Sequence, residues 1–200
     1  MAAVPGYPPA PWGLQGQGWL SLFRVRRAGL RPDGLYVAAF VSYEPDSPLT
    51  YSELLVARVL DRRQVEITDI WVDSVASRDG GRALWAIPKE LCDFTREHRR
   101  TGPLSRTTWS AGVGRRPIAE ASFTDASKFA PRLPFGAGTR QPTLAAVEGA
   151  PVTATFRGSA KALACRGSWA FDAAGPLGWL HGQRRVGSFR VADFRMQFGA

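Results

Sequence analysis

The lysine at position 89 is unusual because this chain takes nearly all of its positive charge from arginine. Of the 26 lysine and arginine residues, only three are lysines, namely Lys89, Lys128 and Lys161. Arginine keeps its proton in a protein, whereas a buried lysine can lose its proton and become a nucleophile. Most lysines are solvated surface charges. The residues around Lys89 therefore decide between a surface charge and a nucleophilic amine.

The sequence around Lys89 predicts a helix that ends just before the lysine. Small residues and the run RALWA favour a short helix within residues 75–94. Pro88 stops this helix, because the residue before a proline is driven toward extended backbone. Lys89 then lies at the junction between a helix and the next element, where a side chain can be aimed into a cavity. The neighbours that would keep water from its amine are all apolar, namely Leu84, Trp85, Ile87 and Leu91.

The rest of the chain predicts a mainly β protein. Its 21 glycines and 15 prolines stand between short apolar runs, which is typical of many strands joined by turns. The predicted strands cover residues 18–27, 35–44, 51–60, 65–74, 105–112, 118–124, 151–158 and 188–198. The segment 127–150 is rich in glycine, proline and alanine, and it predicts a loop over the surface or across the mouth of a pocket.

Glu53 is the carboxylate that this pattern directs toward the interior. On an alternating strand Glu53 shares a face with Leu55 and Ala57, and a carboxylate that points inward must be paired or neutralised. That position makes Glu53 a candidate general acid or base. The alternative is a carboxylate on the surface or on an edge strand.

Length and composition favour a single domain that comprises residues 1–200. Residues 1–12 are too rich in proline for a helix and predict an extended arm. Cys92 and Cys165 match no metal-ligand spacing, so we expect reduced thiols and no metal site. No signal peptide and no run of eighteen apolar residues is readable, which favours a cytoplasmic protein without membrane association.

The net charge of +9 raises the alternative of nucleic-acid binding. The segments RVRRAGLR and REHRRTG give it the best support. However, the arginines are scattered from Arg24 to Arg195, and no DNA- or RNA-binding motif joins them. A solvated basic surface is therefore favoured over a nucleic-acid partner. A positive potential also draws small anionic substrates toward a pocket.

The sequence also contains three segments typical of one enzyme family, which are YSE at 51–53, WVDSVASRDGGRALWAIPKEL at 71–91 and FDAAGPL at 171–177. Gly81 lies eight residues after Asp73, and Pro88 lies six residues after Arg82. With these segments and intervals the sequence resembles the acetoacetate decarboxylase family. The resemblance spans most of the chain, and residues 95–165 match more loosely.

The resemblance implies a closed antiparallel β cone or barrel around an internal cavity, with a few short helices, and a homo-oligomer. It further implies that Lys89 is a Schiff-base lysine that needs neither a metal nor an organic cofactor. Its amine would attack the ketone of a β-keto acid or a related keto metabolite, and the iminium would accept the electrons released as carbon dioxide leaves. Attack at neutral pH calls for a lysine pKa roughly 3 to 4 units below the ordinary value of about 10.4.

Four further residues are candidates for the site. Glu53 matches a family glutamate that lies near the Schiff base, so it is the second candidate catalytic residue. Arg82 either receives the substrate carboxylate or forms a structural ion pair. Trp71 and Trp85 are candidates for the core or for the wall of the substrate pocket.

The sequence departs from the family pattern at three positions. Glu90 stands where the well-known decarboxylases have a second lysine, Ala83 replaces a glutamate, and Gln17 stands where an arginine is expected. A carboxylate beside Lys89 would raise the pKa of the lysine, unless Glu90 points to the opposite side of an extended chain. Two functions therefore stay open. One is decarboxylation, dehydration, aldol chemistry or cyclisation through an imine, and the other is a binding or cyclisation chamber without an imine.

Overall fold

A computed structural model describes residues 6–142 and 149–199 of the chain. Within these residues, twelve strands and one α-helix follow one another, with 3-10 turns at Ser127–Phe129 and Gly178–Leu180. The elements are β1 (Trp12–Val25), β2 (Gly34–Tyr43), β3 (Tyr51–Val59), β4 (Gln64–Val72), α1 (Val75–Trp85), β5 (Lys89–Leu91), β6 (Asp93–Thr101), β7 (Leu104–Val113), β8 (Arg116–Asp125), β9 (Arg132–Gln141), β10 (Val152–Ala164), β11 (Arg166–Phe171) and β12 (Arg184–Phe198).

Seven of the described strands close into a barrel. Their order around the ring is β3, β2, β1, β12, β10, β9 and β4, and pairing of β4 with β3 completes it. The junction between β4 and β9 is parallel and short, with Val65 opposite Thr139. Strand β5 pairs in parallel with the other end of β4. The predicted closed β barrel is confirmed, although one junction is parallel where a wholly antiparallel ring was expected.

A second sheet of four antiparallel strands, in the order β11, β8, β7 and β6, packs against the outside of the barrel. Strands of the barrel wall next to this sheet are therefore buried on both faces. On β2, Phe40 stacks on Trp109 of the second sheet, with ring centroids 5.2 Å apart. Its neighbours Ala39 and Val41 belong to the core inside the barrel. Alternate side chains thus serve two cores, one inside the barrel and one between the sheets.

The helix and most of the predicted strands are confirmed, and one prediction for the second half of the chain is wrong. The segment 127–150 contains the ten-residue strand β9, although its glycines and prolines predicted a loop. Two of those glycines allow close strand pairing. A Cβ at Gly136 would lie 3.3 Å from the carbonyl oxygen of Phe156, and one at Gly138 would lie 3.1 Å from that of Ala154. Residues 143–148 of the predicted loop lie outside the described residues.

The N-terminal segment leads directly into the barrel. Trp12 already belongs to β1 and is buried, and its indole nitrogen donates a hydrogen bond to the carbonyl oxygen of Pro8 over 3.0 Å. Trp12 therefore belongs to the barrel and not to the predicted arm of residues 1–12. Residues 1–5 of that predicted arm lie outside the described residues. Over residues 6–142 and 149–199, no helix is long and apolar enough to cross a membrane.

Candidate active site

A cavity of about 530 Å³ occupies the inside of the barrel. Its wall consists mainly of apolar side chains that point inward from the barrel strands and from α1. Leu133 on β9 lines the cavity and is 49% exposed, so it stands at the mouth. The polar side chains that line it in the described part of the chain are Tyr43, Tyr51, Glu53, Lys89 and Thr139.

Local structure after α1 delivers Lys89 to this cavity. The Ser74 hydroxyl caps the helix by accepting a hydrogen bond from the Ser77 amide over 3.2 Å. The helix ends at Trp85, and the following residue, Ala86, caps it in the left-handed conformation with φ of 52°. Pro88 then prevents further helix, and the chain joins β4 as a parallel strand with Lys89 opposite Ile70. The predicted helix, its termination and the position of Lys89 after the break are therefore confirmed.

The amine of Lys89 is buried and has three hydrogen-bond acceptors. Its Nζ atom lies 2.9 Å from Oε2 of Glu53, 2.9 Å from Oγ of Ser77 and 3.4 Å from the hydroxyl oxygen of Tyr51. The lysine is 4% exposed and Glu53 is 3% exposed. An ammonium group has three N–H donors, so this set of acceptors satisfies the protonated form in full.

Glu53 points into the barrel, as the strand alternation predicted. Its Oε1 atom accepts a hydrogen bond from the hydroxyl of Tyr43 over 3.1 Å, while Oε2 accepts from Lys89. Tyr43 and Tyr51 lie opposite each other on β2 and β3, and their rings stack with centroids 4.3 Å apart. The Tyr51 phenol and the Glu53 carboxylate, both on β3, therefore contact the lysine nitrogen directly, and Tyr43 on β2 is linked to it through Glu53.

The ion pair sets the direction of the pKa shifts. Burial lowers the pKa of Lys89, but the charge of Glu53, the neighbouring Tyr51 and the hydrogen bonds to both together raise that pKa more, so the net shift is upward. This corrects the expectation that burial leaves the lysine with a lowered pKa, because the pairing carboxylate comes from β3. Burial, followed by the charge of Glu53, also raises the pKa of Tyr43 well above its ordinary value. Lys89 thus rests as an ammonium beside a neutral phenol.

Glu90 does not contact the amine of Lys89. Consecutive side chains on β5 point to opposite sides, so Lys89 faces the cavity while Glu90 lies on the surface and pairs with Arg82. Arg82 also donates from Nε to the backbone carbonyl of Lys89 over 2.7 Å. The structure corrects the prediction that Arg82 contacts substrate, because its guanidinium is outside the cavity and fixes the backbone of β5. The structural ion pair, the other interpretation, is the one observed.

The two candidate tryptophans have separate locations. Trp85 lines the cavity and packs edge-on against Trp12, with ring centroids 4.9 Å apart, so it is part of the pocket wall. Trp71 is buried in the core between the barrel and the second sheet, so it contacts no substrate in the cavity. The neighbouring Ile70 points into the barrel instead. Of the two places predicted for Trp71, the pocket wall is therefore corrected and the core is the one observed, because β4 is buried on both faces and Trp71 points to the outer one.

Three polar residues that surround the Lys89–Glu53 pair were not predicted as site residues, namely Tyr43, Tyr51 and Ser77, and of these only Tyr51 lies in a segment that the sequence singled out, YSE. Tyr43 could have been identified as a site residue from its position opposite Tyr51, but that position is known only once β2 and β3 are paired. The signal for Ser77 is its spacing from Gly81, since residues four apart share a helix face. A Cβ at Gly81 would lie 2.8 Å from Cδ of Lys89, so that helix face contacts the lysine.

Two other potential nucleophiles have environments that oppose ionisation. Cys92 and Cys165 are both free thiols, as predicted. Burial, with a smaller contribution from Asp73, raises the pKa of Cys92 to about 12. Burial raises the pKa of Cys165 to about 11. Because a thiolate is the reactive form of cysteine, neither thiol is activated at neutral pH.

We expect Gly81→Ala to lower the rate of reaction at Lys89 by about 10- to 100-fold without loss of folding. The new methyl group would meet Cδ and Cε of Lys89 at 2.8 and 2.9 Å, so the flexible lysine must move away from Glu53. Gly80→Ala on the same helix is the matched control, because its methyl group meets the Trp12 ring at 2.7 Å instead. Reductive trapping of a ketone and the thermal midpoint are measured for both. Equal rates of trapping in the two variants would contradict the expectation.

The buried ion pair is expected to be a poor source of stability. At pH 7, Lys89→Met should lower the free energy of unfolding by about 3 to 5 kcal/mol, because it leaves the Glu53 carboxylate buried without its counter-charge. Adding Glu53→Gln should restore most of that loss, since a neutral amide still accepts the hydrogen bond from Tyr43. Urea unfolding of the wild type, the single variant and the double variant measures this. A double variant at least as unstable as Lys89→Met would show that the pair stabilises the fold.

Comparison with known proteins agrees with this architecture. No protein-family model and no curated protein matches the sequence. Among solved structures, acetoacetate decarboxylase from Legionella pneumophila is 16% identical with a TM-score of 0.67, over 98% of this chain and 89% of that one. An acetoacetate decarboxylase-like enzyme from Sphingomonas wittichii is 14% identical with a TM-score of 0.65, over 100% and 95% of the two chains.

A third structure is an enduracididine biosynthesis enzyme complexed with the condensation product of pyruvate and imidazole 4-carboxaldehyde. It is 18% identical with a TM-score of 0.61, over 96% of this chain and 88% of that one. All three similarities extend over nearly the whole chain, and they include the barrel and the second sheet. The chain therefore has the acetoacetate decarboxylase-like fold.

Proposed function

We propose that the protein is a cofactor-independent lyase that forms a Schiff base between Lys89 and a small keto compound. The keto compound is a β-keto acid or a related keto metabolite, and the imine serves decarboxylation or related aldol, dehydration or cyclisation chemistry. One observation carries the proposal. The Nζ atom of Lys89 is buried in an apolar cavity, 2.9 Å from a carboxylate oxygen of Glu53 that can take its proton.

The first half of the reaction removes one water molecule. The ammonium of Lys89 gives a proton to Oε2 of Glu53 across their hydrogen bond, which frees the lone pair of the amine. The amine adds to the carbonyl carbon, and the electron pair of the C=O bond goes to oxygen. One proton moves from nitrogen to that oxygen, Glu53 donates the second proton, and water leaves. An iminium at Lys89 and an ionised Glu53 remain.

The second half uses the iminium as an electron sink. A bond at the adjacent carbon breaks, by loss of carbon dioxide, an aldehyde or a proton, and its electron pair forms an enamine. Glu53 takes a proton from solvent and gives it to the enamine carbon. Water then adds to the renewed iminium, and the product ketone and the lysine amine separate. Glu53 therefore acts as the general acid and base of both halves.

The side chains around the Lys89–Glu53 pair assist this proton transfer and do not exchange protons themselves. The Tyr43 hydroxyl donates to Oε1 of Glu53, which leaves Oε2 directed at Lys89. Because burial raises the pKa values of Tyr43 and Tyr51, both phenols stay neutral. Ser77 accepts a hydrogen bond from the ammonium over 2.9 Å and orients it. Enzymes with this fold that are named as decarboxylases, and one that holds a pyruvate–aldehyde condensation product, support carbonyl chemistry as the class of reaction.

The raised pKa of Lys89 favours a second candidate function, in which no imine forms. An ammonium in the cavity can donate a hydrogen bond to a carbonyl oxygen, while Glu53 removes a proton from the adjacent carbon. The resulting enolate could then cyclise or return its proton. In this candidate the site is a binding or cyclisation chamber, and the nitrogen of Lys89 stays unsubstituted.

Isotope exchange separates the two candidates without knowledge of the natural substrate. A simple ketone is incubated with the protein in water labelled with oxygen-18 and deuterium, and both isotopes are followed by mass spectrometry. Each cycle of imine formation and hydrolysis replaces the ketone oxygen, and the enamine exchanges hydrogen at the adjacent carbon. We expect both exchanges. Deuterium uptake without oxygen exchange would assign the site to enolisation, and the absence of both would overturn the proposal.

A further inference from the structure

We infer that the carbonyl substrate is an elongated, uncharged and largely apolar molecule, and that Thr139 binds an oxygen atom at its far end. This inference rests on the proposed carbonyl chemistry at Lys89 and names its substrate class. It follows from the size of the cavity, from the charges along its wall and from one buried hydroxyl without a partner.

The size of the cavity exceeds what a small keto acid needs. The cavity holds about 530 Å³. A keto acid of about seven non-hydrogen atoms would occupy roughly 200 Å³, if each atom takes the share of about 30 Å³ that a water molecule has in the liquid. More than half of the space would then be left to water against apolar walls, an unfavourable arrangement. A substrate about two and a half times as large fills it.

The charges of the cavity disfavour an anionic substrate. Among the lining residues that the structure describes, Lys89 is the one cation, and its charge is balanced by Glu53. Arg82 lies outside, and Gln17, which stands where an arginine was expected, bonds to Glu44 and Asp193 outside the cavity. A substrate carboxylate would thus lose its hydration without gaining a counter-charge. The net charge of +9 resides on other surfaces of the molecule.

A buried hydroxyl marks the far end of the cavity. Thr139 is 2% exposed, lines the cavity, and its Oγ1 atom has no hydrogen-bond partner among the residues that the structure describes. Buried polar atoms normally have one, so a ligand atom is a fitting partner here. Thr139 is paired with Val65 and Lys89 with Ile70 on the same strand β4. Five residues of strand separate the two positions by about 15 Å, so the substrate is elongated.

The mouth of the cavity has the same apolar character. Leu133 is 49% exposed at the rim, and it is followed by Pro134 and Phe135, which also line the cavity. An apolar substrate crosses this rim without losing hydrogen bonds. An enamine formed from such an uncharged ketone reacts by aldol chemistry, dehydration or cyclisation, because it carries no carboxylate to lose.

A homologous series of methyl ketones tests the inference on the wild-type protein. Binding from 2-butanone to 2-undecanone is followed by tryptophan fluorescence, since Trp12 and Trp85 line the cavity. We expect the affinity to rise about fourfold for each added methylene until the cavity is full. Acetoacetate should bind more weakly than 2-hexanone, which is similar in size and uncharged. Equal affinities along the series, or tighter binding of acetoacetate, would overturn the inferred substrate class.

Thr139→Val tests the polar contact at the far end. The variant removes a hydroxyl that bonds to none of the described residues and keeps the shape of the side chain, so it should fold normally. We expect its affinity for 11-hydroxy-2-undecanone to fall about three- to tenfold, with the affinity for 2-undecanone unchanged. An unchanged affinity for the hydroxyketone, or an equal loss for both ligands, would overturn the role of Thr139.

Leu133→Arg tests the mouth, with Leu104→Arg as a matched control. The two leucines are 49% and 48% exposed, but Leu104 lies on the second sheet away from the cavity. Only Leu133→Arg should weaken binding of the long ketones. The oxygen-exchange assay on the same samples separates the two proposals. If affinity depends on chain length but the ketone oxygen does not exchange, the inferred substrate class is retained and the imine is rejected. If the oxygen exchanges but affinity does not depend on chain length, the imine is retained and the inferred substrate class is rejected.

Discussion

Lys89→Arg is expected to lower turnover at least about 10⁴-fold and to abolish imine formation. Arginine keeps the positive charge that balances Glu53, but its guanidinium stays protonated and cannot attack a carbonyl. The nitrogen of Lys89 is the atom that forms the covalent bond in the proposed reaction, so no neighbouring group substitutes for it. Turnover with the ketones that the wild type converts and oxygen-18 exchange with a simple ketone are the measurements.

The control for this substitution is another lysine. Lys161 forms a partly exposed ion pair with Asp193, 2.8 Å from Nζ to Oδ2, and it does not line the cavity. Lys161→Arg keeps that surface pairing and should leave both exchange and turnover unchanged. Substantial oxygen exchange by a folded Lys89→Arg variant would exclude the lysine nitrogen as the nucleophile, and circular dichroism verifies the fold of each variant.

Glu53→Gln is expected to lower turnover by about 100- to 10,000-fold, because the amide cannot accept and return the proton. The same variant should lower the pH at which imine trapping reaches half of its maximum, although it lowers turnover. In the wild type, the charges and hydrogen bonds of Glu53 and Tyr51 together outweigh burial and raise the pKa of Lys89. Trapping should therefore still increase as the pH rises above the ordinary pKa of a lysine. Without the carboxylate charge, burial remains, and the midpoint should move below the ordinary lysine value.

Glu90→Gln is the control for Glu53→Gln, because each variant removes one carboxylate charge but only Glu53 contacts the amine of Lys89. Glu90 is next to Lys89 in sequence, yet its carboxylate pairs with Arg82 on the surface. Removing that charge should leave the midpoint of trapping where it is in the wild type. If Glu53→Gln left the midpoint unchanged, or if Glu90→Gln shifted it by as much, the assignment of Glu53 as the partner of Lys89 would be wrong.

Features governed by local rules could be predicted from the sequence. Pro88 stops the helix, and its effect on backbone geometry is a property of the residue itself. That Glu53 shares a face with Leu55 and Ala57 follows from the alternation of side chains along β3, and this face lines the cavity. The opposite directions of Lys89 and Glu90 follow from the same rule on β5. The chemistry of the pair, a lysine that can donate a proton and a carboxylate that can accept it, was thus predictable before their distance was known.

Features that depend on pairing between distant segments could not be predicted in the same way. The sequence left Trp71 between the core and the pocket wall, because a strand covered on both faces is apolar throughout and alternation then does not show which side chains point inward. Tyr43 joins the site through its register with Tyr51, which the sequence does not specify. The direction of the Lys89 pKa was wrong because it depends on a 2.9 Å contact between β3 and β5. The homo-oligomer stays a prediction.

Two strands, β6 and β9, were not predicted from the sequence, because their amino-acid composition is not typical of strands. Strand β6, Asp93–Thr101, is an edge strand whose side chains are mostly charged and exposed, so it resembles a basic surface segment rather than a strand. Strand β9 contains a proline and two glycines, which normally mark turns. Both strands owe their conformation to hydrogen bonds with a neighbouring strand, β7 for the first and β10 for the second.

The central claim is that the amine of Lys89 bonds covalently to a carbonyl carbon, and reductive trapping measures this directly. The protein is incubated with a long methyl ketone and borohydride, digested with trypsin and analysed by mass spectrometry. Trypsin does not cleave after a modified lysine, so the account predicts a labelled peptide that spans residues 83–96 uncut. A protein that exchanges the ketone oxygen yet carries its label on Lys128 or Lys161, or carries none on residues 83–96, would contradict it.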